Sequence, residues 1–388
     1  MARAPSVALS GRHAAIRAAM AARSLDALVV TSLPNIVYLT NFSGSAGIVV
    51  MDAHRLRFIT DARYEASLEA TRRLAHACPG LVPVVTAGSY DATLAAVLAD
   101  YEGRVGFEAA HLSVSRYTWL TTTLSAATGS TSLPATTARH PALVSTEGIV
   151  EIHRLRKDAY ELEVLREAGR RLSAVARDVL EMPLRHRSEL DVAAEIDWRL
   201  RRAGFERPAF DTIVASGSNS ALPHAHPTER ILSEGDLVVL DFGGVYASYC
   251  VDLTRTVSVG PPSPRARDVH RAVREAQRRA IAAVAPGASR FDVDAAAREA
   301  LAEVGMAEAF GHGTGHGLGI EVHEAPRVTQ RRPNVDDRDE AVDVGMVFTV
   351  EPGAYFPGWG GVRIEDDLVV TASGSALLTE VTGDLIEV

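Results

Sequence analysis

Short apolar runs alternate with amphipathic stretches through the first third of the chain. Residues 27–31 (ALVVT), 47–51 (GIVVM) and 56–60 are bounded by polar or small residues and predict buried strands. Residues 10–22, 63–74 and 91–99 carry helical patterning, and 82–85 and 104–107 read as further strands. Such alternation predicts an α/β layer. Residues 121–143 break the pattern: Thr, Ser and Ala dominate and two prolines interrupt, which predicts a linker or boundary. Long charged helices are expected at 157–181 and 188–203, the second with Ser188 as its N-cap. Strands follow at 237–243, 253–259, 346–350 and 363–370, with helices at 264–284 and 290–304 between them.

Length turns this pattern into two domains, expected at 1–142 and 143–388, because 388 residues is long for one core. Hydrophobic residues at 47% and charged residues at 23% fit a soluble globular protein. The net charge of −9 argues against a nucleic-acid partner, which selects a basic face. No apolar run reaches the roughly 20 residues that span a bilayer, and residues 1–10 hold no apolar leader core. The two cysteines, Cys78 and Cys250, form no CxxC, so a cytoplasmic location is expected. Lys157 is the only lysine among 40 basic residues and reads as compositional bias.

Three signals carry chemistry. Asp241 ends the apolar run LVVLD, and Asp252 opens VDLTRTVSV. A hairpin turning over residues 245–248 sets these acids opposite one another. Like charges so placed destabilise a sheet, and burial raises the cost. A cation between them removes the conflict; the alternative is one strand-end Asp and one turn-capping Asp. Glu351 and Glu365 repeat the device around Pro357-Gly358, a turn signal. A surface hairpin would explain one such pair more readily than two. The third signal is GHGTGHGLGIEVHEAP, with His312, His316 and His323. Its alternating glycines rule out a helical metal pair. In an extended chain His312 and His316 share a face. Four carboxylates and one imidazole suit two divalent ions of the Mn, Fe, Co or Zn type, sharing a water.

The motifs LPHAHPTER, VLDFGGVYASYCVDLTRT, GHGTGHGLGIEVHEAP, FTVEPG and GVRIEDD together resemble the pita-bread metallopeptidases, in the Xaa-Pro aminopeptidase and prolidase branch. VYLTNFSGSAG and FITDARY resemble the creatinase-type N-terminal domain. The resemblance implies an α/β first domain and an α+β second domain with a curved, mainly antiparallel sheet covered by helices. It implies that Asp241 chelates one metal, that His316 and Glu351 bind the other, and that Asp252 and Glu365 bridge both. Manganese is the expected metal, with Co, Zn or Fe as alternatives. Glu351 is the implied proton shuttle. His224 is the histidine that meets substrate near the scissile bond, and His226 beside it is assigned to loop structure. His323 is the implied stabiliser of the tetrahedral intermediate. His312 is placed near the proline pocket, and Arg363 holds a carboxylate or orders Asp241. The expected substrates are peptides with proline at the second position. FSGSAG and ITDARY favour an aminopeptidase over a dipeptidase. A non-catalytic binding protein of the same fold is the competing class, and the complete ligand set disfavours it. A homodimer is expected, with Arg63 and Tyr64 reaching a partner's site or merely packing on the surface.

Overall fold

The computed structural model describes residues 3–127, 141–332 and 341–388. The chain divides into two compact units, Met1–Arg154 and Leu155–Val388. In the first, α1 (Ser6–Ala22) leads to β1 (Ala27–Val30) and α2 (Leu33–Thr40). A hairpin of β2 (Ile48–Asp52) and β3 (Leu56–Thr60) precedes α3 (Ala62–Thr71) and β4 (Leu81–Val85). Then come α4 (Tyr90–Leu98), β5 (Arg104–Glu108), α5 (Val114–Ala127), β6 (Ala142–Thr146) and α6 (Glu151–Leu155). The six strands form one sheet in the order β4-β3-β2-β1-β5-β6. β1, β5 and β6 run parallel, as the strand–helix alternation predicts.

Two expectations change here. α5 occupies the start of the stretch read as a linker, because Leu120 and Leu124, one turn apart, pack into the sheet's core. Threonine-rich surroundings hide that spacing; residues 128–140 of the stretch lie outside the described residues. β6 pairs with β5, so the first unit extends to Arg154, beyond 142. Arg63 and Tyr64 are both engaged by near neighbours. Arg63 donates to both carboxylate oxygens of Asp61, and the Tyr64 ring stands 4.9 Å from that of Phe42.

The second unit begins with two long helices, α7 (Ala159–Leu180) and α8 (Glu189–Arg202). Both start in capping boxes, Asp158 with Glu161 and Ser188 with Asp191, which satisfy otherwise orphaned N–H groups. The short strands β7 (Arg207–Pro208) and β8 (Ile213–Ser216) pair with β9 (Leu237–Tyr246), which continues into β10 (Tyr249–Ser258). α9 (Pro264–Ala283) and α10 (Arg290–Glu303) follow. β11 (Gly315–Gly317), β12 (Glu324–Val328) and β13 (Val347–Val350) come next. The chain ends in β14 (Gly353–Phe356), β15 (Gly360–Arg363), β16 (Asp366–Thr371) and β17 (Gly374–Leu377). One sheet has the order β12-β11-β13-β16-β17, with all its pairings antiparallel.

Helices cover both faces of this sheet. Val347 and Val369 pack with residues of α7 and α8, whereas Phe348, Leu368 and Val370 pack with residues of α9 and α10. Alternation along β13 and β16 therefore feeds two cores from one sheet. This mixed antiparallel architecture is consistent with the pita-bread fold.

The β9–β10 hairpin differs from its expected register. Tyr246 pairs with Tyr249, so the connection is Ala247-Ser248, with φ of 50° and 70°. Positive φ at both residues is the two-residue turn whose twist matches the flanking strands. Asp241 therefore pairs with Thr254, and Asp252 with Gly243. A slip of two keeps every side chain on its face, so the aspartates remain on one face as diagonal neighbours.

The turn supplies a test. Ser248→Gly relieves a left-handed conformation and is expected to raise stability by roughly 0.5 kcal/mol after the entropy cost of glycine. Ser248→Val is expected to lower it. Urea unfolding of both variants checks the signs; equal midpoints would remove the turn assignment.

Candidate metal centre

Hairpin β9–β10 presents Asp241 and Asp252, both buried, on one face of the ladder. Glu351 and Glu365 occupy matching places between two antiparallel ladders that share one register, since Val350 pairs with Asp366 and Gly353 with Arg363. The intervening chain turns at Gly358, whose φ of 78° suits glycine. β10 is tied to this second segment. The Glu365 N–H donates to the Thr254 carbonyl at 3.0 Å. Thr254 Oγ1 donates to Glu365 Oε2 at 2.6 Å, and the Asp252 N–H donates to Asp367 Oδ2 at 2.9 Å.

His316 arrives on β11. A Cβ at the preceding Gly315 would stand 1.9 Å from the Thr349 carbonyl, so only glycine admits this approach of β11 to β13. The His316 N–H donates to Thr349 Oγ1 at 3.1 Å. One ligand atom each from Asp252, His316 and Glu365 lie within 4.8 Å of one another. Glu351 Oε1 is 3.5 Å from His316 Nε2, and Asp241 Oδ2 accepts a hydrogen bond from Arg363 Nη2. All five expected ligands line a cleft of about 930 Å³. The same cleft is lined by His224, His226, His312, His323 and Arg363. The His323 ring centroid lies 4.2 Å from that of His316.

The electrostatics are those of buried acids crowded together. Burial, reinforced by Asp241, Asp367 and Glu351, holds the Asp252 carboxyl well above the usual range. Burial and then Asp252 do the same to Glu365. Burial pushes Glu351 up to about 8 against the opposing pull of Arg363. Burial drives His316 down to about 3, which keeps the imidazole neutral and free to ligate. Asp241 Oδ1, Asp252 Oδ1 and Glu365 Oε1 are buried with no hydrogen-bond partner among the described residues. Three orphaned carboxylate oxygens beside a neutral imidazole fit divalent cations of the Mn, Fe, Co or Zn type.

Sequence reasoning missed several neighbours. The Tyr355 hydroxyl lies 2.9 Å from His312 Nε2 and accepts from Arg363 Nη1 at 2.8 Å. It thereby joins two predicted site residues. Thr254 holds Glu365, and Asp367 holds the backbone of Asp252. The available signal was parity: Tyr355 and Arg363 are separated by a short hairpin, and Thr254 shares a strand face with Asp252.

Residues 163–372 match metallopeptidase family M24, more than half the chain. The chain belongs to metallopeptidase family M24. Residues 12–139 match the creatinase/prolidase N-terminal domain. An uncharacterized peptidase of Bacillus subtilis, YqhT, is 36% identical over 93% of this chain and 96% of its own. A solved Xaa-Pro dipeptidase from Bacillus anthracis is 35% identical, with a TM-score of 0.87 over 98% of this chain and 100% of its own. An X-Pro aminopeptidase structure from Thermotoga maritima is 29% identical, with a TM-score of 0.84 over 97% and 99%. Among the described residues of this M24 chain no helix is long and apolar enough to cross a membrane.

The acid cluster makes the metal-free M24 chain sensitive to pH in a defined direction. Glu351 is raised in the fold from an ordinary 4.5 to about 8. Its contribution is fully present below about 4.5 and is lost as pH rises through about 8, at up to about 1.4 kcal/mol per pH unit per proton. Asp252 and Glu365 act with the same sign. Chelated protein is therefore expected to lose stability from pH 5 to 8. Added Mn²⁺ should flatten or reverse that slope, because metal competes with protons. Denaturant unfolding at several pH values checks this; chelated stability rising over the same interval would contradict it.

Proposed function

We propose that the chain is an Xaa-Pro aminopeptidase that uses two divalent ions to hydrolyse the amide bond before a proline at the second position of a peptide. The observation that carries this reading is that four buried or half-buried carboxylates line one cleft with His316, three of their oxygens lacking any partner among the described residues. In this reading Asp241 would hold one ion, His316 and Glu351 would hold the other, and Asp252 and Glu365 would serve both. Bound divalent ions supply polarisation of the scissile carbonyl and acidification of water.

The chain's own groups do the rest. Glu351 takes the proton that water loses as its oxygen adds to the carbonyl carbon. It returns that proton to the proline nitrogen as the C–N bond breaks. The leaving nitrogen needs it, because an amide nitrogen departs as a neutral amine and not as its strongly basic anion. His323 and His224, both lining the cleft, donate to the oxygen where negative charge develops. Tyr355 and Arg363 fix the His312 side of the cleft, where the proline ring would pack; Arg363 also fixes Asp241.

One observation favours a dipeptidase as the second reading. Arg327 and Arg332 line the same cleft and suit the free carboxylate of a C-terminal proline. Relatives named Xaa-Pro dipeptidase agree with it.

A cleavage panel separates the readings. With Mn²⁺, turnover of Xaa-Pro-Yaa tripeptides is expected, and turnover confined to Xaa-Pro dipeptides means a dipeptidase. Chelation should abolish hydrolysis, and Mn²⁺ or Co²⁺ should restore it. Asp252→Asn is expected to weaken metal binding by more than the roughly 10–100-fold that loss of an outer partner costs. Retention of two equivalents of metal at full affinity in that variant would sink the proposal, as would chelator-indifferent activity.

A further inference from the structure

Lys157 is the only lysine in a chain whose other basic residues are all arginine. It is also buried. Its side chain is 1% exposed, and Nζ lies 2.6 Å from Glu324 Oε1, on a side chain 10% exposed. Lys157 sits directly before the Asp158 cap of α7, and its N–H donates to the Gly345 carbonyl at 2.8 Å. Glu324 directly follows His323 and stands opposite Gly317 in the β11–β12 ladder. The connection 318–323 is thus bounded by His316-Gly317 on one side and by the ion pair on the other.

The pair also grips that connection. A Cβ at Gly319 would meet Glu324 Oε1 at 2.5 Å and Lys157 Cε at 3.1 Å, so both side chains rest on bare backbone. The Gly319 carbonyl in turn accepts from the Cys250 N–H at 2.7 Å, two residues before Asp252. Taking two charges out of water is costly, and apolar residues of similar size often serve stability as well. The geometry therefore needs a reason other than stability. An ammonium is a compact point charge and a guanidinium a wider planar fork, and here the ammonium meets Glu324 Oε1 at 2.6 Å beside the bare backbone of Gly319. The neighbouring imidazole of His323, carried on the gripped connection, supplies the reason.

We propose that Lys157 and Glu324 are positioning residues whose ion pair fixes the loop 318–323 and so sets the His323 imidazole in the cleft. This rests on the role given above to His323 in stabilising the developing oxyanion. The paired variant Lys157→Met with Glu324→Met removes both charges at once and leaves neither stranded. It is expected to unfold at the same denaturant concentration as the natural chain and to bind Mn²⁺ with unchanged stoichiometry. Its kcat and kcat/KM should fall together, on the order of ten- to a hundred-fold, with KM unchanged, because misplacement of a group acting in the transition state costs about that much. In a His323→Ala background the same pair of substitutions should cost less than about two-fold. If the paired variant folds poorly, Lys157→Gln with Glu324→Gln keeps both side chains polar and able to hydrogen-bond each other without a stranded charge, and should show a smaller loss of the same kind. Full kcat in the folded variants, or an undiminished loss in the His323→Ala background, overturns the proposal. If His323→Ala alone leaves kcat intact, the role of His323 is what fails. The His323 ring resonance in histidine-labelled protein then decides for the pair: a shift in the paired variant supports positioning, and an unmoved resonance overturns it.

Discussion

The second unit is organised around negative charge that it cannot neutralise by itself. Asp252 and Glu365 bring carboxylate oxygens within 4.8 Å, beside Glu351 and Asp241. At an effective dielectric near 20, each such pair of ionised groups repels by roughly 3 kcal/mol. Arg363 answers Asp241, but Asp252 Oδ1 and Glu365 Oε1 have no donor among the described residues. The fold meets this cost either by keeping protons on the acids or by admitting cations. Much of the local architecture holds the acids together against their repulsion: the ten-residue strands of the β9–β10 hairpin, the Thr254 clamp on Glu365, and the close seat of Gly315 under Thr349.

Much of this was legible in the chain because charge in an apolar strand is conspicuous. LVVLDF and MVFTVE place acids where burial is unavoidable, and side-chain parity in a strand does not depend on the turn's details. That is why a register wrong by two residues still set Asp241 and Asp252 on one face. Other features carried no such mark. Tyr355 lies in AYFPG among residues of ordinary turn composition, and only the folded hairpin brings its hydroxyl to His312 and Arg363. α5 was hidden by threonines whose helical spacing is masked by low hydrophobicity. Lys157 was discounted because composition alone gives no reason for a single lysine; its meaning depends on a glutamate 167 positions away.

The same contrast separates surface from interior charge. Arg170 and Arg171 with Glu167, or Arg278 and Arg279 with Glu275, are helix-face pairs open to water. Such pairs contribute little and are screened by salt. Among the described residues the buried pairs are few and connect segments distant in sequence. Arg255 reaches Asp366, Lys157 reaches Glu324, and Arg363 reaches Asp241. Each joins a helix or strand to a segment that leads into the cleft, so the interior charges serve placement more than net stability.

The run Glu365-Asp366-Asp367 shows that burial alone does not mark a ligand. All three are nearly inaccessible. Asp366 is saturated: Oδ1 accepts from Arg255 and Thr379, and Oδ2 from Gln277. It is a structural acid with both oxygens engaged. Asp367 accepts the Asp252 N–H on Oδ2, and its Oδ1 is unmet among the described residues, which makes it a brace for the strand that bears a candidate ligand. Glu365 accepts from Thr254 on Oε2, and its other oxygen is unmet within reach of Asp252 and His316. What distinguishes the three is whether donors remain for each oxygen and what the unmet oxygen faces. By that criterion an orphaned oxygen converging with others and with a neutral imidazole belongs to a binding site, whereas a fully partnered carboxylate of equal burial belongs to the scaffold.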